Sequence, residues 1–143
     1  MKKIVFILIG ISLMFLFYLN KERYILTHFN TKQWDLYKSQ YKYKFSTYNP
    51  KESFRKEGVY EFSWDGGCNY YLHNMRRNKL FKYQADDVEV SNKWKYINDS
   101  TFDLNGDKYK ILYFKKDSIV LLWNNPNWLD TLILVPSPVE LPR

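Results

Sequence analysis

Three side chains in one short stretch carry the elements of a reactive site. Cys68 offers a thiol, His73 an imidazole and Asp65 a carboxylate, which on paper makes either an activated nucleophile or part of a metal cage. The spacing argues against both. A metal needs three or four converging ligands, and the Asp65, Cys68, His73 series matches no zinc signature, while the other histidine, His28, lies far upstream. Cys68 is the single cysteine, so no intrachain disulfide can form, and it reads as a small buried apolar residue. His73 reads as the end of a strand. Asp86, Asp87, Glu89, Asp99, Asp103, Asp107, Asp117 and Asp130 mostly fall where turns are expected, and carboxylates there bond to nearby backbone amides. The chain has no glycine-rich phosphate loop, no Gly-x-Ser-x-Gly elbow and no catalytic cysteine context. It is therefore read as a non-enzyme, with no cofactor and no metal.

The elements that carry these residues are strands. Residues 93–135 form five short apolar or alternating runs divided by turn clusters, which is the pattern of an antiparallel meander. Trp94 and Tyr96 alternate with lysines, Phe102 and Leu104 with Thr101 and Asp103, and Asn105-Gly106 suits the positive φ angles of a tight hairpin. Runs at 109–114, 118–123 and 129–135 complete the set. Upstream, Trp34 and Leu36 alternate, then Tyr41, Tyr43 and Phe45 alternate with Lys42 and Lys44. Helix competes over residues 33–40, because Trp34, Tyr37 and Tyr41 also fall at i, i+3 and i+7. Residues 46–58 are polar and read as a loop. Val59, Glu61 and Ser63 then alternate with Tyr60, Phe62 and Trp64, Asp65-Gly66-Gly67 marks a turn, and residues 68–73 return as a strand. Residues 74–79 read as a solvated tip and residues 80–85 as a further strand.

Composition points the same way, with 13 Tyr, 10 Phe and 5 Trp among 143 residues, residue types that fit pleated, half-buried surfaces. The net charge of +7 is spread along the chain, so the interleaving of lysines with aromatics at 41–44 and 93–96 reads as a solvated face beside a packed one. A nucleic-acid partner is not expected.

The N-terminus is different. Lys2 and Lys3 precede sixteen uncharged residues, 4–19, and Asn20, Lys21, Glu22 and Arg23 end the run. A basic start before an apolar core is the form of a targeting segment. The flank offers no small-x-small pair for a signal peptidase, so residues 1–20 are read as an uncleaved signal-anchor or transmembrane helix, the alternative being a cleaved signal. This makes the chain membrane-anchored with the β domain outside the cytoplasm, or secreted if cleavage occurs. The expected organisation is residues 1–20 as anchor, 21–32 as linker, 33–135 as one β domain and 136–143 as tail.

Residues 58–67 (GVYEFSWDGG), Trp94-Lys95-Tyr96 with Asp99-Ser100-Thr101-Phe102, and Tyr109-Lys110-Ile111 through Asp117 to Leu121 resemble small bacterial lipocalin-like domains of secreted and envelope proteins. Larger lipocalins begin with Gly-x-Trp, where this chain has Lys32-Gln33-Trp34. The resemblance implies a place in the bacterial cell envelope and an all-β antiparallel meander forming a small barrel or half-barrel of about eight strands, preceded by one hydrophobic helix, with room for an apolar cavity. Trp94, Tyr96, Phe102, Ile111 and Leu121 are the positions that would line it. Two expectations stay open: a membrane-tethered domain that binds a small apolar ligand or lipid, and an envelope interaction protein whose barrel is solid and binds none.

Overall fold

Tight turns set the path of the chain. Asn105 (φ 58°) and Gly106 (φ 90°) both lie in the left-handed region, as a two-residue hairpin turn requires. The Asp103 carboxylate accepts the Gly106 N–H at 3.0 Å. Gly66 also has positive φ (92°), in the turn that the Ser63 N–H closes by donating to the Gly67 carbonyl at 2.8 Å. In this computed structural model, residues 2–27, 33–42, 55–74, 79–83, 92–125 and 128–141 are described.

Two helices come first, α1 (Lys2–Leu19) and α2 (Lys21–Thr27). Among the described residues nine strands follow: β1 (Gln33–Lys42), β2 (Arg55–Phe62), β3 (Cys68–Asn74), β4 (Lys79–Lys82), β5 (Trp94–Asn98), β6 (Thr101–Leu104), β7 (Asp107–Phe114), β8 (Ile119–Asn125) and β9 (Trp128–Pro136). All pair antiparallel in one sheet of order β4-β3-β2-β1-β9-β8-β7-β6-β5. Every pair of adjacent strands except β1 and β9 is therefore consecutive in sequence. The β1–β9 ladder runs from Trp34–Pro136 to Lys42–Trp128 and joins the two series. The sheet curls into a half-barrel, and its two halves touch again at one isolated bridge, Gly67 to Lys93. There the Trp94 N–H donates to the Gly66 carbonyl at 2.8 Å and the Cys68 N–H to the Asn92 carbonyl at 3.0 Å.

Strand alternation fills the concave side. Trp34 and Leu36 of β1, Tyr60 and Phe62 of β2, Phe102 and Leu104 of β6, Ile119 and Leu121 of β8, and Leu132 and Leu134 of β9 are all buried there. The helical alternative for residues 33–40 gives way to strand because Trp34 and Leu36 each gain partners on both sides of β1. Gly58 is needed in β2, since a Cβ would collide with the Tyr71 carbonyl oxygen and crowd the Tyr70 ring.

Three segments differ from the sequence-based expectation, the first being residues 55–58, which begin β2 although 46–58 was read as a loop. Residues 21–27 form a helix where a linker was expected, with Ile25, Leu26 and Thr27 buried. The Trp34 indole N–H donates to the Leu26 carbonyl at 2.9 Å, which fixes this helix to the core. The tail also packs: Ser137 is buried, and its N–H donates to the Gln33 carbonyl at 2.8 Å. The strand expected at 80–85 is β4, and it begins one residue earlier. Tyr43, Phe45, Asp86, Asp87, Glu89 and His28 lie outside the described residues.

Among the described residues no helix is long and apolar enough to cross a membrane. This revises the expectation of a transmembrane helix. The uncharged run 4–19 rises about 24 Å at ~1.5 Å per residue, short of the ~30 Å of hydrocarbon in a bilayer. What the helix does show is apolar surface, because every described large apolar side chain from Phe6 to Leu19 is exposed.

Candidate functional site

The concave side is held by a chain of aromatic contacts. Phe62 meets Trp94 edge-on at 6.0 Å between centroids, and Trp94 stacks on Phe102 at 6.1 Å. Phe102 packs on Phe114 at 6.0 Å, and Phe114 meets the edge of Tyr96 at 5.4 Å. Such pairs add ~0.5–1.5 kcal/mol each beyond area burial. All five residues expected to line a cavity are here. Trp94, Phe102 and Leu121 are buried in the core, and Tyr96 and Ile111 are partly buried against it. Phe102 and Leu121 have 0% of their surface accessible, so neither borders a space that could hold a water molecule. Alternation identified the face, and packed rings occupy it.

A polar cluster sits beside these rings. The Cys68 thiol donates to Asn105 Oδ1 at 3.3 Å, and Asn105 Nδ2 donates to the Tyr60 hydroxyl at 3.4 Å. Tyr60 stacks on Tyr70 at 4.6 Å. Burial pushes the Cys68 thiol up to about 12, so at neutral pH it is protonated and a poor nucleophile. Burial also raises Tyr60, with further upward pushes from Cys68, Tyr70 and Tyr109 and a smaller opposing effect from the Asn105 bond. Burial raises Tyr109 as well, with the charges of Asp107 and Asp130 adding to it. These are groups held neutral, suited to shape and hydrogen bonding rather than to proton transfer at neutral pH.

The Asp65, Cys68, His73 trio is not assembled. Cys68 and His73 stand at odd separation on β3 and so face opposite sides of the sheet. Asp65 instead accepts the Gly67 N–H at 3.0 Å within its turn. Among the described residues no group of three His, Cys, Asp or Glu converges to hold a metal ion.

Of the carboxylates expected at turns, Asp99, Asp103 and Asp117 make local bonds. Asp99 accepts the Tyr96 hydroxyl at 2.7 Å, and Asp103 makes the bond already noted. Asp130 is an exception that corrects the turn reading. It lies within β9, in phase with Leu132 and Leu134, and forms an ion pair with Lys38 Nζ at 3.0 Å while its side chain is 6% exposed. A second buried carboxylate, Asp35 on the opposite face, pairs with Lys56 Nζ at 2.6 Å. One oxygen of each, Oδ1, has no hydrogen-bond partner among the described residues. The signal for Asp130 was available in the sequence, since it shares the period-two phase of Leu132 and Leu134.

Two clefts on the surface of the described residues bear on function. A groove of about 530 Å³ lies on the convex side, between β2 to β4 and the tail, lined by Lys56, Val59, His73, Leu80, Val139 and Leu141 among others. A smaller cleft of about 300 Å³ lies where the helices meet the sheet, lined by Leu19, Asn20, Glu22, Arg23, Gly66, Trp94, Lys95 and Tyr96. It is the more polar of the two in composition.

Fold and sites together define a class: a nine-stranded antiparallel half-barrel with an aromatic interior, following an exposed apolar helix. No protein-family model, no curated protein and no solved structure matches the chain.

Proposed function

We propose that this chain is a non-enzymatic interaction module of the bacterial cell envelope, held at a membrane by α1 with its half-barrel outside the cytoplasm. The observation that carries the reading is the exposure of α1. Its large apolar side chains from Phe6 to Leu19 are exposed, Phe17 touching Tyr24 of the next helix, whereas Ile25, Leu26 and Thr27 of α2, which follows at once, are buried in the domain. An apolar surface of this extent is stable only when covered, and lipid is the covering that a basic-then-apolar N-terminus implies. The tether is read as a helix seated in lipid, with Tyr18, Lys21 and Arg23 at the interface. The half-barrel supplies a rigid body on that helix.

The reading of the domain as a lipocalin-like holder of a small apolar ligand has less support. Its five lining positions pack on one another, and two of them have no accessible surface. The lysines at 108 and 110 are exposed on β7 and available for crosslinking in intact cells. Covalent recovery of a second envelope protein is the expected result, together with an intact mass that retains α1 in the membrane fraction. Recovery of the monomer alone would sink the interaction reading, and a soluble product beginning near residues 20–30 would sink the tether.

A further inference from the structure

The cleft at the foot of α1 joins two kinds of surface. Leu19, the last residue of the apolar helix, forms one of its walls, and Gly66, Trp94, Lys95 and Tyr96 form the wall opposite. Between them stand Asn20, Glu22 and Arg23 from the helix junction. Arg23 lies over an aromatic ring, its guanidinium 5.8 Å from the Trp64 ring centroid, with Trp64 in turn edge-on to Tyr24 at 5.1 Å. Lys95 is exposed on β5, and the ion pairs of the described residues, Lys38–Asp130 and Lys56–Asp35, involve neither cation. Glu22 is the single carboxylate among the lining residues, against two cations. Gly66 contributes no side chain, which leaves the opening clear.

We propose that this cleft receives the phosphate of an anionic glycerophospholipid, whose acyl chains lie along α1. The inference rests on the reading of α1 as a helix seated in lipid. Arg23 presents a planar fork of donors suited to a phosphate, and Lys95 adds a mobile point charge from the other wall. A volume of about 300 Å³ suits one headgroup rather than an extended polymer. The continuity of the cleft with Leu19 selects a lipid over free phosphate, because a phosphate bound there has the apolar helix beginning directly beside it.

The test uses the full chain in flotation with vesicles of phosphatidylcholine, with and without phosphatidylglycerol. Retention is expected on both, with a preference for the phosphatidylglycerol vesicles. Lys95→Gln and Arg23→Gln should each reduce that preference about five-fold, the effect of one basic side chain close to an anionic surface. Lys21→Gln removes a neighbouring cation that does not line the cleft, and should change it much less. An equal loss with Lys21→Gln would mean diffuse attraction and overturn the site. Glycerol 3-phosphate in solution should not abolish the preference, and if it does, the site takes free phosphate and the lipid assignment fails. Equal retention on both vesicles overturns the headgroup site alone, whereas no retention on either overturns the lipid-seated reading of α1 itself. Near-UV circular dichroism of each variant separates a lost contact from a lost fold.

Discussion

Two helices separated by a single residue treat their apolar side chains in opposite ways. In α1 the apolar residues from Phe6 to Leu19 are 44–75% exposed, while in α2 Leu26 has no accessible surface at all. Asn20 makes the division. Its N–H donates to the Phe17 carbonyl, its side-chain amide to the Leu16 carbonyl at 2.9 Å, and its own carbonyl accepts the Tyr24 N–H at 3.0 Å. One asparagine thus closes the first helix and opens the second, a role its short polar side chain suits. The difference teaches that hydrophobicity alone does not assign a segment to the core. The deciding factor is a specific partner, and α2 has one in Trp34.

The contrast can be broken most severely at Leu26. Leu26→Asp would place a carboxylate where the side chain is fully enclosed, and the sheet should fail to fold cooperatively. Leu26→Ala should cost about 2–5 kcal/mol in denaturant titration. A small effect from both would mean that α2 merely rests on the domain.

Next in size is Trp34→Phe, which keeps a ring but leaves the Leu26 carbonyl without its donor. It should lower stability by about 1–3 kcal/mol, the usual cost of an unsatisfied buried polar group. A wild-type denaturation midpoint would show that packing alone holds α2.

Alkaline pH tests the core on which α2 packs. The folded Cys68 thiol is raised from 9.0 to about 12 and Tyr70 from 10.0 to about 12, both chiefly by burial. A raised folded pKa means that the stabilisation is complete below the unfolded value and is lost as pH climbs through the folded one. Thermal midpoints should therefore hold up to about pH 9 and decline between about pH 9 and 12. In Cys68→Ala the decline should begin later, nearer the ordinary tyrosine value of 10.0. An unchanged onset would show that the thiol is not protected by the fold.

The smallest effect on the domain belongs to α1. Leu13→Ala should leave the unfolding of the sheet within about 0.5 kcal/mol of wild type, as expected of an exposed position. It should still weaken retention on vesicles. A marked loss of domain stability would mean that α1 packs on protein rather than lipid.

The sequence discloses the strands more fully than their surroundings. Alternation at Trp34 and Leu36, at Tyr60 and Phe62 and at Phe102 and Leu104 reports the buried face correctly, because period two is a local property. Asn105-Gly106 reports its turn for the same reason. Trp64 shares the phase of Tyr60 and Phe62 yet is 38% exposed, since β2 ends at Phe62 and the next residues turn. Residues 21–27 and the tail are illegible locally, because both are fixed by distant partners, Trp34 for one and Gln33 for the other. The candidate site is the least legible of all. Periodicity tells which residues face inward, but whether Trp94, Phe102 and Leu121 enclose a void or one another depends on how tightly the sheet curls. Likewise, Arg23 and Lys95 share a cleft only after the two halves of the sheet meet.

The β1–β9 ladder has a consequence for the time course of folding. Trp34 and Pro136 are partners, as are Lys42 and Trp128, so the central ladder joins segments from opposite ends of the domain. The hairpins from β5 to β9 can form as each strand emerges from the ribosome, but β1 and β2 must wait for the final strand before β1 gains its second neighbour. High sequence separation of this kind slows the rate-limiting step of folding. The middle of the sheet is thus still open while synthesis continues, and it closes only when the last strand arrives.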